Sequence, residues 1–221
     1  MSSTLFDVVL FDLDGTLVDT MDQHYLAWYN ILSAMNIKLD RSFFLLNEGR
    51  NIYEFMGNIA GIEDRLQVEG LIRKKDLLFS DSYKFEVFDG VFDLVTYLHD
   101  SNIPLGVVTA SSSWRLKRTI PVDFLEHFQV LITSDNLGPG KPDPWPYTCA
   151  LKQLKCDPSR ALVLENAPLG IKSAKAAGTT CIGIGSTLPA EFLSSADYFY
   201  QSMRDVADDH NLWRGDVPKI V

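Results

Sequence analysis

Short apolar runs alternate with amphipathic segments along most of this chain. The first run, residues 5–11, is apolar at nearly every position, which is typical of a strand buried on both faces of a sheet. Further runs predict strands at residues 104–109, 129–133, 161–165, 180–184 and 198–200. The segments between the later strands predict helices near residues 91–99, 113–119, 122–127, 145–155, 169–177 and 203–210. This alternation predicts a parallel sheet with helices on both faces.

Residues 19–86 interrupt the alternation, because they contain amphipathic segments but no strand-like run. They predict four helices, near residues 20–35, 40–46, 51–60 and 63–85. A helical block inserted directly after an α/β strand is typical of a separate cap domain. We therefore expect an α/β protein with a Rossmann-like core domain, residues 1–18 and 87–221, and an α-helical cap domain, residues 19–86.

The composition narrows the classes of partner. The chain has 221 residues, of which 46% are hydrophobic and 22% charged, and its net charge of -9 argues against nucleic acid or an anionic membrane surface. No apolar run is long enough to span a bilayer. Three scattered cysteines indicate a reducing compartment. Residues 1–4 carry no charged segment that would open a signal peptide, so we expect a cytoplasmic protein. We expect a monomer and leave an oligomer open.

Two carboxylates mark the end of the first predicted strand. Asp12 and Asp14 follow its apolar run, and Gly15 then allows a tight turn. Carboxylates at the exit of a buried strand are unfavourable unless something neutralises or uses them, and open α/β sheets bind ligands at this edge. A calcium loop also begins Asp-x-Asp, but it requires Gly and Glu where this chain has Leu17 and Gln23.

Polar side chains also follow later strands. Thr109 ends the second predicted strand, where a hydroxyl can bind a phosphate oxygen or serve only as a helix cap. Lys141 lies in the segment G-K-P-D-P, whose prolines restrict the backbone and hold the side chain in place. Glu165 and Asn166 end another buried run. Acids at the ends of two strands indicate oxygen ligands for a hard cation such as Mg²⁺.

The string F-D-L-D-G-T-L-V-D-T after an apolar strand resembles the first motif of the haloacid dehalogenase superfamily. Thr109, Lys141 and the pair Glu165 and Asn166 are similar to its other three motifs in type, order and strand context. Within the helical block, D-T-M-D-Q-H-Y-L-A-W resembles the opening cap helix of the β-phosphoglucomutase-like subfamily. The segments G-R-N at residues 49–51 and R-K-K-D at residues 73–76 resemble its substrate-contacting segments.

The resemblance implies phosphoryl transfer from a small phosphomonoester. Asp12 would be the nucleophile that forms an aspartyl-phosphate, and Asp14 would be the general acid and base. Thr109 and Lys141 would hold the transferring oxygens. The cofactor would be Mg²⁺, with four implied ligands: Asp12, Asp14 through its carbonyl, Glu165 and Asn166. The implied substrate contacts are His24, Trp28, Arg50, Lys74 and Ser111.

Some of these assignments have simpler alternatives. Trp28 fits packing inside the cap equally well, and Arg50 and Lys74 fit an exposed helix surface. Asn166 stands where the family's fourth motif usually has a second acid, and its amide oxygen can ligate Mg²⁺ only without charge. This departure puts the metal affinity in doubt more than the mechanism.

We expect a Mg²⁺-dependent phosphatase that acts on a small, sugar phosphate-like metabolite. A phosphomutase of the β-phosphoglucomutase type would use the same residues. A hydrogen bond from His24 to the cap hinge or to the acid would serve it by coupling cap closure to Asp14. A dehalogenase lacks the second aspartate, so Asp14 argues against that reaction. A non-catalytic binding protein on the same fold would fail to turn over an aryl phosphate with Mg²⁺.

Overall fold

The structure is a computed structural model that describes residues 5–136 and 138–214. Its strands are β1 (Val8–Phe11), β2 (Leu105–Val108), β3 (Val130–Ile132), β4 (Ala161–Glu165), β5 (Thr180–Ile184) and β6 (Tyr198–Tyr200). Its helices are α1 (Met21–Ser33), α2 (Arg41–Leu46), α3 (Ile52–Ala60), α4 (Arg65–Ser82), α5 (Val91–Asp100), α6 (Ser113–Thr119), α7 (Val122–Leu125), α8 (Trp145–Leu154), α9 (Pro168–Ala176), α10 (Met203–Asp208) and α11 (His210–Arg214). Two short 3₁₀ helices cover Pro158–Arg160 and Ala190–Leu193.

The strands form one parallel sheet in the order β3-β2-β1-β4-β5-β6. Strand β1 lies between β2 and β4, so that Phe11 is paired with Val107 on one side and Leu164 on the other. The strand order therefore changes direction beside β1, and such a switch point is where open α/β sheets bind ligands. Asp12 follows β1 directly at this point.

Successive residues of β1 belong to two different cores. Val8 and Leu10 pack in a core with α1, α8 and α9, whereas Val9 and Phe11 pack in a core with α5 and α10. Because side chains alternate along a strand, this division places helices on both faces of the sheet. The predicted fold class, a Rossmann-like parallel sheet with an inserted helical segment, is confirmed.

The four helices α1–α4, called the helical insert below, lie between β1 and α5 in the chain. Three begin at capping residues, because Asp40, Asn51 and Asp64 each accept a hydrogen bond from a backbone N–H in the first turn. Helix α1 packs on α4, and Phe44 meets Phe55 edge to face inside the insert. The four helices match those predicted, and the division into two domains stays a prediction.

The last helix differs from its prediction. The segment predicted as one helix, residues 203–210, is divided between α10 and α11. Asp209 leaves the helical conformation, with φ -79° and ψ 83°, and its carboxylate accepts hydrogen bonds from the backbone N–H groups of Asn211 and Leu212. A polar residue that satisfies those N–H groups ends one helix and starts the next. Within the described residues, no helix has the length and apolar composition needed to cross a membrane.

Candidate active site

The carboxyl ends of β1, β2 and β4 bring most of the predicted catalytic residues to one place. Asp12 and Asp14 follow β1, Thr109 follows β2 and Glu165 is the last residue of β4. A cavity of about 380 Å³ lies over this edge, between the sheet and the helical insert. It is lined by Asp12, Asp14, Thr109 and Lys141, while Glu165 lies fully buried behind them.

The side chain of Lys141 connects two of the strand ends. Its Nζ lies 2.6 Å from Asp12 Oδ1, 2.6 Å from Glu165 Oε1 and 3.1 Å from the carbonyl oxygen of Val108. Burial alone lowers the pKa of Lys141, but the charges of Asp12 and Glu165 outweigh it and raise the pKa above its ordinary value. Lys141 is therefore a fixed positive charge beside Asp12, and its predicted contact with the transferring oxygens stays a prediction.

Asp12 lies in surroundings that disfavour its charge. Burial raises the pKa of Asp12 to about 7, and the charges of Glu165 and Asp14 add to the effect of burial while Lys141 opposes it. Lys141 holds Oδ1, but Oδ2 is buried without a hydrogen-bond partner among the described residues. A carboxylate oxygen without a hydrogen-bond partner is available to attack a substrate or to bind a cation.

Glu165 is held from several sides. The hydroxyl of Tyr147 donates to Oε1 at 2.9 Å, and the backbone N–H of Ala167 donates to Oε2 at 3.1 Å. A Cβ placed on Gly170 would lie 1.7 Å from Oε1, so only glycine fits at that position of α9. The glycine in the sequence L-E-N-A-P-L-G is therefore required by the close approach of the carboxylate.

Asp14 has a different environment from Asp12. Its Oδ1 accepts hydrogen bonds from Thr20 Oγ1 at 2.8 Å and His24 Nε2 at 3.1 Å. Its Oδ2 accepts from Ser111 Oγ at 2.7 Å and from the guanidinium of Arg115. Burial alone would raise the pKa of Asp14, yet Arg115 and His24 outweigh it and hold the pKa well below its usual range. Asp14 is thus ionised in this arrangement.

His24 connects Asp14 to the helical insert. Its ring stacks on Phe79 of α4 with centroids 4.2 Å apart. Burial and the positive charge of Lys75 lower the pKa of His24 to about 3, so the imidazole is neutral near pH 7. Because an ionised carboxylate only accepts hydrogen bonds, the proton of the neutral ring must lie on Nε2, facing Asp14. Of the two partners that the sequence suggested for His24, the cap hinge and the acid, the structure shows the hydrogen bond to the acid.

Arg115 was not predicted from the sequence. It is fully buried in the first turn of α6, and its guanidinium lies 4.9 Å from the ring centroid of Phe79. A positive charge in the first turn of a helix is opposed by the helix dipole, so a nearby carboxylate is needed to stabilise it. That unfavourable position, four residues after Ser111, was the one signal in the sequence.

Asn166 is fully buried, and its amide makes three side-chain hydrogen bonds. Its Oδ1 accepts from Thr16 Oγ1 at 3.0 Å, while Nδ2 donates to Glu48 Oε2 at 2.9 Å and to Thr187 Oγ1 at 3.0 Å. Glu48, in the loop between α2 and α3, was also missed by the sequence reasoning. Burial raises the pKa of Glu48 well above its usual range, and the charges of Asp12 and Glu165 add to that rise.

Three of the predicted substrate contacts in the insert line the cavity, namely His24, Trp28 and Arg50. Arg50 pairs with Lys141 through the backbone, and its Nε donates to Asn47 Oδ1 at 2.9 Å. Lys74 does not line the cavity, because it lies on an exposed face of α4. This is a correction: the next residue, Lys75, is buried there instead, and burial lowers its pKa to about 8.

The neighbours of Lys75 complete this part of the cavity. Lys75 Nζ lies 3.3 Å from Asp76 Oδ1, and Ser112 donates to Asp76 Oδ2 at 3.3 Å. Ser111, predicted as a substrate contact, also lines the cavity but donates to Asp14. The side chain of Thr109 accepts a hydrogen bond from the N–H of Ser111 at 3.1 Å. These hydrogen bonds connect the loop after β2 to helix α4.

The oxygens at the sheet edge fit the chemistry of Mg²⁺. In the described ranges, no three His, Cys, Asp or Glu side chains are arranged around one metal position. Mg²⁺, however, usually takes one or two protein carboxylates and completes its shell with substrate phosphate and water. A cation at this edge would give the unpartnered Oδ2 of Asp12 a partner. It would also offset the like charges that raise the pKa of Asp12.

The parallel α/β fold and the acidic groups at its sheet edge agree with the family that the sequence motifs resemble. A family model of haloacid dehalogenase-like hydrolases matches residues 9–184, from β1 to the end of β5. The chain therefore belongs to the haloacid dehalogenase-like hydrolases, and the predicted family is confirmed.

Three similar proteins match this chain over most of its length. Validoxylamine A 7'-phosphate phosphatase of Streptomyces hygroscopicus subsp. limoneus is 32% identical over 209 residues, covering 93% of this chain and 98% of that protein. β-Phosphoglucomutase of Bacillus subtilis strain 168 is 28% identical over 192 residues, covering 82% and 84%. The crystal structure of CbbY from Rhodobacter sphaeroides with phosphate is 26% identical, with a TM-score of 0.77 and coverage of 91% and 96%.

The similar proteins are named as phosphatases and phosphomutases. This chain is accordingly a phosphoric monoester hydrolase of the superfamily, with phosphomutase activity as the alternative.

Proposed function

We propose that this protein is a Mg²⁺-dependent phosphatase of small, sugar phosphate-like metabolites that works through an aspartyl-phosphate. The observation that carries the proposal is the contrast between two carboxylates at the end of β1. Asp12 has an open oxygen beside the ammonium of Lys141, whereas Asp14 has both oxygens engaged by four donors. The first environment suits a nucleophile, and the second suits a group that transfers a proton.

In the first step, one oxygen of Asp12 attacks phosphorus, and the bond to the leaving oxygen breaks. Lys141 is already within 2.6 Å of Asp12 and is positively charged, so it is placed to offset charge on the transferring phosphoryl oxygens. Thr109 follows β2 at the same edge and offers its hydroxyl to another of these oxygens.

Asp14 is ionised before substrate arrives, because Arg115 and His24 hold its pKa low. To act as the acid it must gain a proton when the substrate binds, and a phosphate group nearby favours this by adding negative charge. After the leaving group departs, the same carboxylate accepts a proton from the water that attacks the aspartyl-phosphate. Ser111, Thr20 and His24 keep the carboxylate oriented during both steps.

The candidate ligands of Mg²⁺ are Asp12, the carbonyl of Asp14, Glu165 and Asn166. When bound, the ion supplies positive charge between the nucleophile and the phosphate. Lys141 lies against both Asp12 and Glu165, so it keeps these two like-charged groups together whether or not the ion is present.

The helical insert serves as the cap in this proposal. Its side chains give the cavity an apolar wall opposite the charged edge, formed by Trp28, Phe44, Phe55 and Ile72. A wall of this kind excludes water from the reacting groups and packs against the organic part of the substrate. The similar protein named validoxylamine A 7'-phosphate phosphatase supports a phosphomonoester of an organic metabolite as the substrate class.

A phosphomutase is the second candidate, and one contact favours it. His24 donates to Asp14 from a helix of the insert, at 3.1 Å, so movement of the insert is coupled to the proton-transfer group. A mutase needs that coupling, because its phospho-enzyme must resist water until a second hydroxyl arrives. The 28% identity to β-phosphoglucomutase also supports this alternative.

One experiment separates the two functions. The protein is mixed with Mg²⁺, β-glucose 1-phosphate and a bisphosphate primer, and both free phosphate and glucose 6-phosphate are followed over time. We expect release of phosphate from this and other small sugar phosphates, with little isomerisation. Rapid formation of glucose 6-phosphate with little free phosphate would establish the mutase instead. No turnover of any phosphomonoester, including an aryl phosphate, would contradict both.

A further inference from the structure

The fourth motif of this chain, Glu165 and Asn166, contains one acidic side chain, and a second carboxyl group lies next to it on a neighbouring segment. Asn166 stands where the superfamily's motif usually has a second acid, and it offers only a neutral amide. Its Nδ2 donates to Glu48 Oε2 at 2.9 Å, so a carboxylate from the helical insert lies directly beside the substituted position. Glu48 also lines the cavity over the sheet edge.

The loop that carries Glu48 is held against the sheet edge by its backbone. Gly49 has a φ of +78°, and a Cβ there would lie 3.0 Å from Cδ of Lys141. The next residue, Arg50, forms a parallel backbone bridge with Lys141. A glycine at this position thus lets the loop approach the lysine closely and brings the Glu48 carboxylate to the site.

The charges at the edge leave room for a divalent cation. Asp14 is paired with Arg115, while Asp12 and Glu165 share the single ammonium of Lys141. The three groups Asp12, Glu165 and Lys141 therefore retain about one negative charge, and Glu48 offers a further carboxyl group beside them that ionises once a cation offsets its acidic neighbours. The buried Oδ2 of Asp12, which has no partner in the described part of the chain, is an independent sign that a ligand belongs here.

We propose that Glu48 is an anionic ligand of Mg²⁺ and takes the place of the second acid missing at Asn166. This inference rests on the proposed Mg²⁺-dependent function. Because Glu48 belongs to the helical insert, the metal site is complete only when the loop between α2 and α3 lies on the sheet edge. Metal binding and closure of the insert then stabilise each other.

The test measures metal binding to the free protein, without substrate. Mn²⁺ binding is followed by electron paramagnetic resonance and Mg²⁺ binding by calorimetry, for the wild type and Glu48→Gln. A glutamine can still accept the hydrogen bond from Asn166, so a role limited to that bond predicts unchanged affinity. We expect Glu48→Gln to weaken binding by about tenfold or more, because ligand charge tunes affinity for hard cations.

Two further variants complete the design. Glu63→Gln removes a carboxylate from an exposed position of the insert and should leave the affinity unchanged. The double variant Glu48→Gln/Asn166→Asp replaces the lost carboxylate at position 48 with one at position 166. It should restore the metal affinity to within about threefold of the wild type.

The outcomes separate this inference from the proposed function. If the wild type binds Mg²⁺ and Glu48→Gln binds it equally well, Glu48 is no ligand, although the phosphatase proposal stands. If the wild type binds neither ion, both proposals are wrong. Weakened binding in Glu48→Gln that the double variant does not recover would also contradict the inference, because the lost charge would not be the cause.

Discussion

The sheet edge and the helical insert contribute to the same cavity in different ways. The edge supplies charged groups on paired strands: Asp12 follows the central strand β1, and Glu165 is the last residue of β4. The insert supplies mainly apolar side chains, such as Trp28 and Phe44, together with a carboxylate on a loop. Groups held by adjacent strands have little freedom, whereas those of the insert depend on how helices and loops pack on the core.

The sheet edge and the helical insert therefore have different roles in the proposed function. We expect changes at the edge to remove the chemistry itself and changes in the insert to alter substrate or metal binding. The contrast between Asp12 and Asp14 shows how far the edge is specialised, because two carboxyl groups two residues apart have pKa values shifted in opposite directions. The following substitutions test the division.

The largest effect is expected for Asp12→Asn. An amide cannot form the aspartyl-phosphate, so turnover should fall by about 10⁴-fold or more, as for other catalytic nucleophiles. The shape of the strand end is retained, and circular dichroism should show an unchanged fold. Near-normal phosphate release by this variant would mean that the nucleophile lies elsewhere.

Asp14→Asn should follow, with a loss of about 10²- to 10⁴-fold for alkyl phosphates. The loss should be smaller for aryl phosphates, because their leaving groups need less protonation. Steady-state rates on one alkyl and one aryl substrate give the comparison. Equal losses on both would show that Asp14 orients the site but does not donate the proton.

In the insert, Lys75→Met should lower kcat/KM by about tenfold through removal of a cation from the cavity wall. Lys74→Met is the matched control, since that side chain points to solvent and its removal should change little. Both rates are measured with the same sugar phosphate. A larger effect at Lys74 than at Lys75 would reverse the assignment of faces on α4.

The smallest effect concerns stability in the absence of metal. The folded-state pKa of Asp12 is raised to about 7, so the folded protein binds its proton more tightly than the unfolded chain does. The charge of Asp12 therefore destabilises the fold increasingly as pH rises from about 4 to 7.

Asp12→Asn removes that charge, so with a chelator present it should stabilise the protein by about 1–2 kcal/mol at pH 8. The gain should be smaller at pH 5. Thermal melts of both proteins at the two pH values supply the measurement. A stability loss at pH 8 would show that the ion pair with Lys141 outweighs the burial of the carboxylate.

The strands, their parallel arrangement and the residues at their ends followed from the sequence. Apolar runs that end in Asp12, Thr109 and Glu165 identify both the strand and the edge at which it stops. Parallel strands place their carboxyl ends together, so three distant positions could be brought into one site without knowing any other contact. Lys141 was found for a related reason, because prolines limit the conformations of its loop.

Only the tertiary structure decided which side chains of the insert reach that site. Helical periodicity predicts α4, but a shift of one residue rotates a side chain by about 100°, which separates the exposed Lys74 from the buried Lys75. Glu48 and Arg115 carry no local pattern that predicts their partners. Their contacts with Asn166 and Asp14 span 118 and 101 residues of chain, and they depend on how the insert and α6 pack against the sheet.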